Sequence, residues 1–324
     1  MKKLIPFFII IVVLASCGGK KQAENKTEKK EKKYKIAYNV WVPDTVNPDD
    51  YEIFTVNMDG SDSKNITNHK DVAWTYFAYE DKIYFISDRD TLYRHYLLYS
   101  MDINGGNKKK VTDLRLEDSW MSARNGGKEM VVSGRIDKKA RFQLFIINTE
   151  NGSYKQITND TIAAFRDPVF SPDGKQIVCA YQKDRNDQTQ HEELYIMNDD
   201  GTNMVQLTHY PENDSGLFTF HYKAGPPKWN AKENFITYHS YQNGKNSIYA
   251  VTPDGKKQWK LTDVKLDEGW HDWSSDGKWL TMDLFDPATK KYRIGVMNWQ
   301  TKELNIITDT TYTYQQAPVF VEVF

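Results

Sequence analysis

The stretch EGWHDWSSDGKW, residues 268–279, gathers three tryptophans, a histidine and three acidic side chains. A carboxylate beside an imidazole can move a proton or hold a metal, and tryptophan faces bind sugars or other proteins. Similar ingredients stand elsewhere: Trp74, Asp118 with Trp120, the adjacent Arg166 and Asp167, and the histidines His209, His221 and His239. Three or four of His209, His221, His239 and His271 would suffice for a divalent metal if they converged. No His-x-His pair occurs, however, and their spacing fixes no geometry. The chain has no G-x-S-x-G elbow, no H-E-x-x-H and no phosphate-binding glycine loop, so no catalytic residue is assigned and no cofactor is expected beyond that metal.

Chemistry is done once whereas architecture repeats, so the elements that carry these residues matter. One phrase returns six times and closes on an aliphatic residue followed by threonine: Thr67, Thr112, Thr158, Thr208, Thr262 and Thr308. The separations are 45, 46, 50, 54 and 46 residues, the length of a four-stranded propeller blade. Within the phrase, SPDGK (171–175) and SSDGK (274–278) read as a tight turn. Proline or serine precedes an aspartate that bonds its own backbone, and glycine supplies the positive φ. Third strands such as ELYIMN and FQLFIIN carry the β-branched and aromatic residues of blades packed face to face. The expected fold is all-β, a six-bladed β-propeller. After Thr308 a seventh phrase, APVFVEVF, stops after one strand, and the first unit lacks that strand. The C-terminal strand should therefore complete the N-terminal blade and close the ring.

The run DPVFSPDGKQIV (167–178) followed by ELYIMNDDGTNMVQLT (193–208) resembles the repeat of the TolB-type propellers. The resemblance covers 34–324 and implies a cell-envelope protein that binds a protein, peptide or glycan. Oligogalacturonate-lyase-type propellers resemble the same repeat, and they imply an alternative: a lyase or hydrolase of polysaccharides in which a histidine-held metal assists proton abstraction.

In such a fold the connections between blades meet at one mouth of the central channel. Here they are 68–76, 113–121, 159–168, 209–227, 263–272 and 309–317. Trp74, Trp120 and Trp270 fall seven, eight and eight residues after their closing threonines and would form a ring there, or else pack between blades. Asp118, Arg166, Asp167, Glu268, His271 and Asp272 lie in the same connections, with Arg166 and Asp167 placed to pair with each other.

The N-terminus MKKLIPFFIIIVVLASC has two lysines, an apolar run and small residues before Cys17, which reads as a lipoprotein signal over 1–16 with Cys17 as the lipidated residue. Residues 17–33 hold no large apolar side chain and carry seven lysines against three glutamates, a basic tether suited to anionic headgroups. The propeller itself, 34–324, carries 34 Lys and Arg against 41 Asp and Glu, which argues against nucleic acid as a partner. Cys179 is left without a cysteine to pair with and reads as core filler. The expected setting is the bacterial cell envelope, at the outer membrane, with the exposed face undecided.

Overall fold

The computed structural model describes residues 32–43, 50–211 and 223–324, and every described element is a strand. The strands form six antiparallel sheets, each a blade whose strands follow one another from the channel outward. Blade 1 contains β1 (Lys33–Trp41), β2 (Tyr51–Asn57) and β3 (Lys64–Asn65). Blade 2 contains β4 (Ala73–Tyr79), β5 (Lys82–Ser87), β6 (Leu97–Asp102) and β7 (Lys109–Lys110). Blade 3 contains β8 (Arg115–Leu116), β9 (Ser122–Arg124), β10 (Glu129–Arg135), β11 (Gln143–Asn148) and β12 (Tyr154–Gln156). Blade 4 contains β13 (Ala164–Phe170), β14 (Gln176–Gln182), β15 (Glu193–Asn198) and β16 (Val205–Gln206). Blade 5 contains β17 (Lys228–Asn230), β18 (Phe235–Gln242), β19 (Lys245–Val251) and β20 (Gln258–Lys260). Blade 6 contains β21 (Asp267–Trp273), β22 (Trp279–Asp286), β23 (Lys291–Asn298) and β24 (Leu304–Ile306), and β25 (Gln315–Val323) returns to blade 1.

The expected closure is present. β25 is the innermost strand of blade 1 and pairs antiparallel with β1, from Lys33↔Val323 to Val40↔Gln315. Val319 and Val321 are fully buried with Ala73 and Phe85 of blade 2, so the latch is sealed on a neighbouring blade as well.

The closing threonines have a local cause. The hydroxyls of Thr67, Thr158, Thr208 and Thr308 accept from the amides of Ile53, Leu144, Leu194 and Ile294, at 2.8–2.9 Å, where the third strand of each blade begins. Threonine combines strand propensity with an acceptor for an amide the short fourth strand does not reach. SPDGK and SSDGK are equivalent turns: Asp173 and Asp276 accept from the hydroxyl two residues before and the amide two residues after. Gly174 and Gly277 stand at φ +71° and +66°.

Four inner strands carry a register shift near their middle: β4 at Thr75/Phe77, β13 at Arg166/Val169, β21 at Glu268/His271, and β25 opposite Ala37/Asn39. In blade 3 the inner strand is broken outright between β8 and β9.

Val319→Asp places an unpaired charge in the latch. It is expected to cost about 3 kcal/mol or more and to lower the thermal midpoint in a circular dichroism melt, whereas Val323→Asp at the exposed end of β25 is expected to change it little.

Candidate functional site

Each inner strand begins at the mouth and ends at a turn such as SPDGK, so the connections between blades and those between second and third strands share the mouth face. The channel-side edge of an inner strand has no further strand to pair with, and its amides and carbonyls need other partners. Side chains of neighbouring blades supply them. Asn39 of blade 1 both accepts from the Thr75 amide (2.8 Å) and donates to its carbonyl (2.9 Å) in blade 2. Ser133 of blade 3 donates to the Phe165 carbonyl of blade 4 (2.8 Å), and Ser122 accepts from Phe170 (2.8 Å). Asp283 of blade 6 accepts from Ala317 of blade 1 (2.9 Å), and Asp272 accepts from Phe320 (3.0 Å).

This sorts the residues singled out from the sequence. Trp74 and Trp270 lie within β4 and β21 rather than in loops, because the inner strands start earlier than the turn-like residues around them suggest. Trp74 and Trp120 are each 7% exposed, and Trp270 is half-buried. Trp74 packs on Tyr51 and Tyr96 at 5.2 and 5.4 Å between centroids. Trp120 meets Tyr76 at 4.2 Å and Trp270 at 4.9 Å. Blades 3 and 6 are three steps apart on the ring, so the Trp120–Trp270 contact spans the channel. The structure thus brings two of the three tryptophans together, as a plug, and leaves little of Trp74 or Trp120 to meet a ligand.

Arg166 and Asp167 do not pair with each other. Arg166 Nη1 lies 2.6 Å from Glu192 Oε2, with its guanidinium over the Phe142 ring at 4.2 Å. Asp167, at φ 55°, turns toward blade 3 and accepts from the Trp120 amide and the Ser119 hydroxyl, both at 3.0 Å. Desolvation, with Glu192 nearby, pushes its carboxyl up to about 6. Asp118 accepts from the Tyr76 hydroxyl at 2.6 Å. It keeps surface open to water while desolvation raises its pKa, a combination expected of a group facing a narrow channel.

In the stretch 268–273 the polar residues also serve the fold. His271 is buried with Nε2 2.7 Å from the Thr237 hydroxyl, and burial holds it well below its usual pKa, hence neutral. Asp272 pairs with Lys228 of blade 5 at 3.1 Å. Glu268 is fully buried and pushed up to about 7 by desolvation. Its nearest donors are the Thr262 hydroxyl and Ile248 amide, though neither oxygen completes a hydrogen bond. Blades 1 and 4 place Glu52 and Glu193 against the corresponding threonines, Thr67 and Thr208. Blade 5 has Ser247 where those glutamates stand, and Glu268 reaches back from blade 6 to the same threonine position.

The described candidate metal ligands do not form a metal site. His209 is exposed beside Gln206, His239 holds the Gly225 carbonyl at 2.7 Å, His271 is engaged with Thr237, and His221 lies outside the described residues. Among the described residues no group of three or more His, Cys, Asp or Glu side chains is arranged to hold a metal. Cys17 also lies outside the described residues, and Cys179 is buried with its thiol raised by desolvation.

The fold is that of a TolB-like propeller. TolB from Acinetobacter baumannii superposes with a TM-score of 0.67 at 17% identity, over 89% of this chain and 66% of that one, so this chain spans just under two thirds of its length. A putative TolB from Agrobacterium tumefaciens matches at 0.58 and 13% identity, over 91% and 99% of the two chains. An oligogalacturonate lyase from Vibrio parahaemolyticus matches at 0.52 and 14% identity, over 81% and 72%. No family model and no curated protein matches the sequence.

On this TolB-like propeller blade 4 carries a cleft of about 340 Å³ lined in part by Tyr181, His191 and Tyr195 and, beside it and sharing Gln190, one of about 360 Å³ at the mouth, lined by Arg166, Gln182, Arg185, Gln188, Gln190, Glu192 and Lys223. Of these, sequence reasoning singled out Arg166 alone. The available signal was the polar run QKDRNDQTQHE (182–192) between the second and third strands, which face the mouth as surely as the inter-blade connections do. A further cavity, about 150 Å³, lies across the mouth beside Trp270, His239, Asp283 and Tyr292.

Glu193, Glu268 and Asp283 are each pushed up to about 7 by desolvation. Unfolded, such carboxyls titrate near 4, so between about pH 4 and 7 the native state binds more protons and its stability falls as pH rises. The thermal midpoint is expected to rise as pH is lowered from about 8 to 5.5, and Glu268→Gln is expected to flatten that dependence.

Proposed function

We propose that this protein is a lipid-anchored binding protein of the bacterial cell envelope, held at the outer membrane through Cys17, whose propeller mouth captures a protein, peptide or glycan without catalysis. The observation that carries the reading is the division of labour at the channel. Most of the polar side chains singled out around the inner strands, Glu268 excepted, are committed to backbone groups and ion pairs, while the blade 4 cleft presents cationic and amide groups to solvent. The likeness in fold to TolB supports an envelope setting. The likeness to oligogalacturonate lyases supports a second reading, a metal-assisted lyase using the histidines.

Metabolic labelling with an alkyne-tagged fatty acid tests the anchor: label is expected on the wild type and lost in Cys17→Ser. For the mouth, Leu92→Cys and Asp173→Cys place single exposed thiols on the mouth face and the opposite face for coupling to a bulky maleimide polymer. The polymer at Leu92 is expected to abolish capture of an envelope partner, and at Asp173 to leave it intact. Manganese-dependent formation of unsaturated product from oligogalacturonate would instead establish the lyase.

A further inference from the structure

The blade 4 cleft is built from the ends of β13 and β14 and from the connection 183–192, and its charges are positioned rather than free to drift. Arg166 is tied to Glu192, itself 7% exposed, and to the Gln182 side-chain oxygen at 3.3 Å. Arg185 is anchored by the carbonyls of Thr161, Ile162 (3.1 Å) and Lys139 (3.1 Å). Lys223 has no ion-pair partner among the described residues. Among the described residues, three cations therefore line the cleft against one carboxylate, on a propeller with more acidic than basic residues overall. The acidic neighbours on the connection do not line the cleft: Asp187 accepts from Thr189 and Gln190, and Asp184 from the Asn186 amide.

The lining also separates the classes of ligand admitted by the mouth. No aromatic ring lines this cleft, and the tryptophans that could stack on a sugar are buried or form the channel plug. Carboxamides match the donors and acceptors of a peptide backbone, and guanidinium groups match carboxylates. An exposed aliphatic side chain flanks it: Ile162, whose carbonyl Arg185 holds, is 55% exposed.

Resting on the mouth-binding reading, we infer that the blade 4 cleft takes an extended acidic peptide segment of a partner protein, with its carboxylates on Arg166, Arg185 and Lys223 and its backbone on Gln182, Gln188 and Gln190. Fluorescence anisotropy with a labelled hexapeptide of alternating glutamate and isoleucine, beside its glutamine counterpart, tests this on the full chain. The acidic peptide is expected to bind at least tenfold more tightly, and to weaken with added salt as exposed charge pairs do. Lys223→Glu and Gln188→Glu, both at exposed positions, are each expected to weaken it roughly fivefold or more with an unchanged melting curve. Equal binding of the two peptides, no binding, or indifference to both substitutions would overturn the assignment, as would trigalacturonate binding more tightly at the same residues. If those substitutions spare capture of the envelope partner while the polymer at Leu92 abolishes it, the cleft assignment falls and the mouth reading stands.

Discussion

The inner strand of a propeller blade has a neighbour on one side only. Its other edge faces a channel too crowded for every amide and carbonyl to be hydrated, and an unpaired buried backbone group costs about 1–3 kcal/mol. Much of this molecule answers that constraint. Asn39, Ser119, Ser122, Ser133, Asp167, Asp272 and Asp283 each hand a hydrogen bond to, or take one from, the inner strand of an adjacent blade. The same bonds fasten one blade to the next, so satisfying the edge and holding the ring are one operation.

Carboxylates are good acceptors for such amides, but holding them here has an electrostatic cost. Desolvation raises Asp167 and Asp283, and the buried glutamates Glu193 and Glu268 near the closing threonines share that fate. A perturbed carboxyl in a cleft is a common mark of catalysis. In this ring Asp167 and Asp283 are buried where they reach backbone amides of a neighbouring blade, so the desolvation that raises them has an architectural cause.

The fold was legible because its signals are local and repeated. Glycine at positive φ in SPDGK, threonine capping the third strand and β-branched residues alternating along blades recur at one period, and the unmatched strand APVFVEVF announced the latch. The site was less legible. Asp272 looks the same whether it meets a ligand or the Phe320 amide, because its partner is 48 residues away and in another blade. Trp120 and Trp270 gave no hint that they meet across the channel, a contact fixed only by the sixfold arrangement. The cleft residues Arg185 and Gln188 sit in a connection that repeats only in part, DRN (184–186) matching DRD (88–90) of blade 2, and the stretch around Gln188 differs from blade to blade.

The latch also sets an order of events. β1 is the first described strand, and its partner on the channel side, β25, follows every other strand in the chain. Until β25 arrives, the backbone edge of Lys33–Trp41 stands open, and the inner row of blade 1 is missing from the ring. Closing it joins residues nearly the full length of the domain apart, the kind of contact that makes folding slow and leaves an edge exposed to association in the meantime. A nascent chain therefore holds five complete blades and an unfinished blade 1 until β25 is made, and in that interval the open edge of β1 is the part that must be kept from pairing elsewhere.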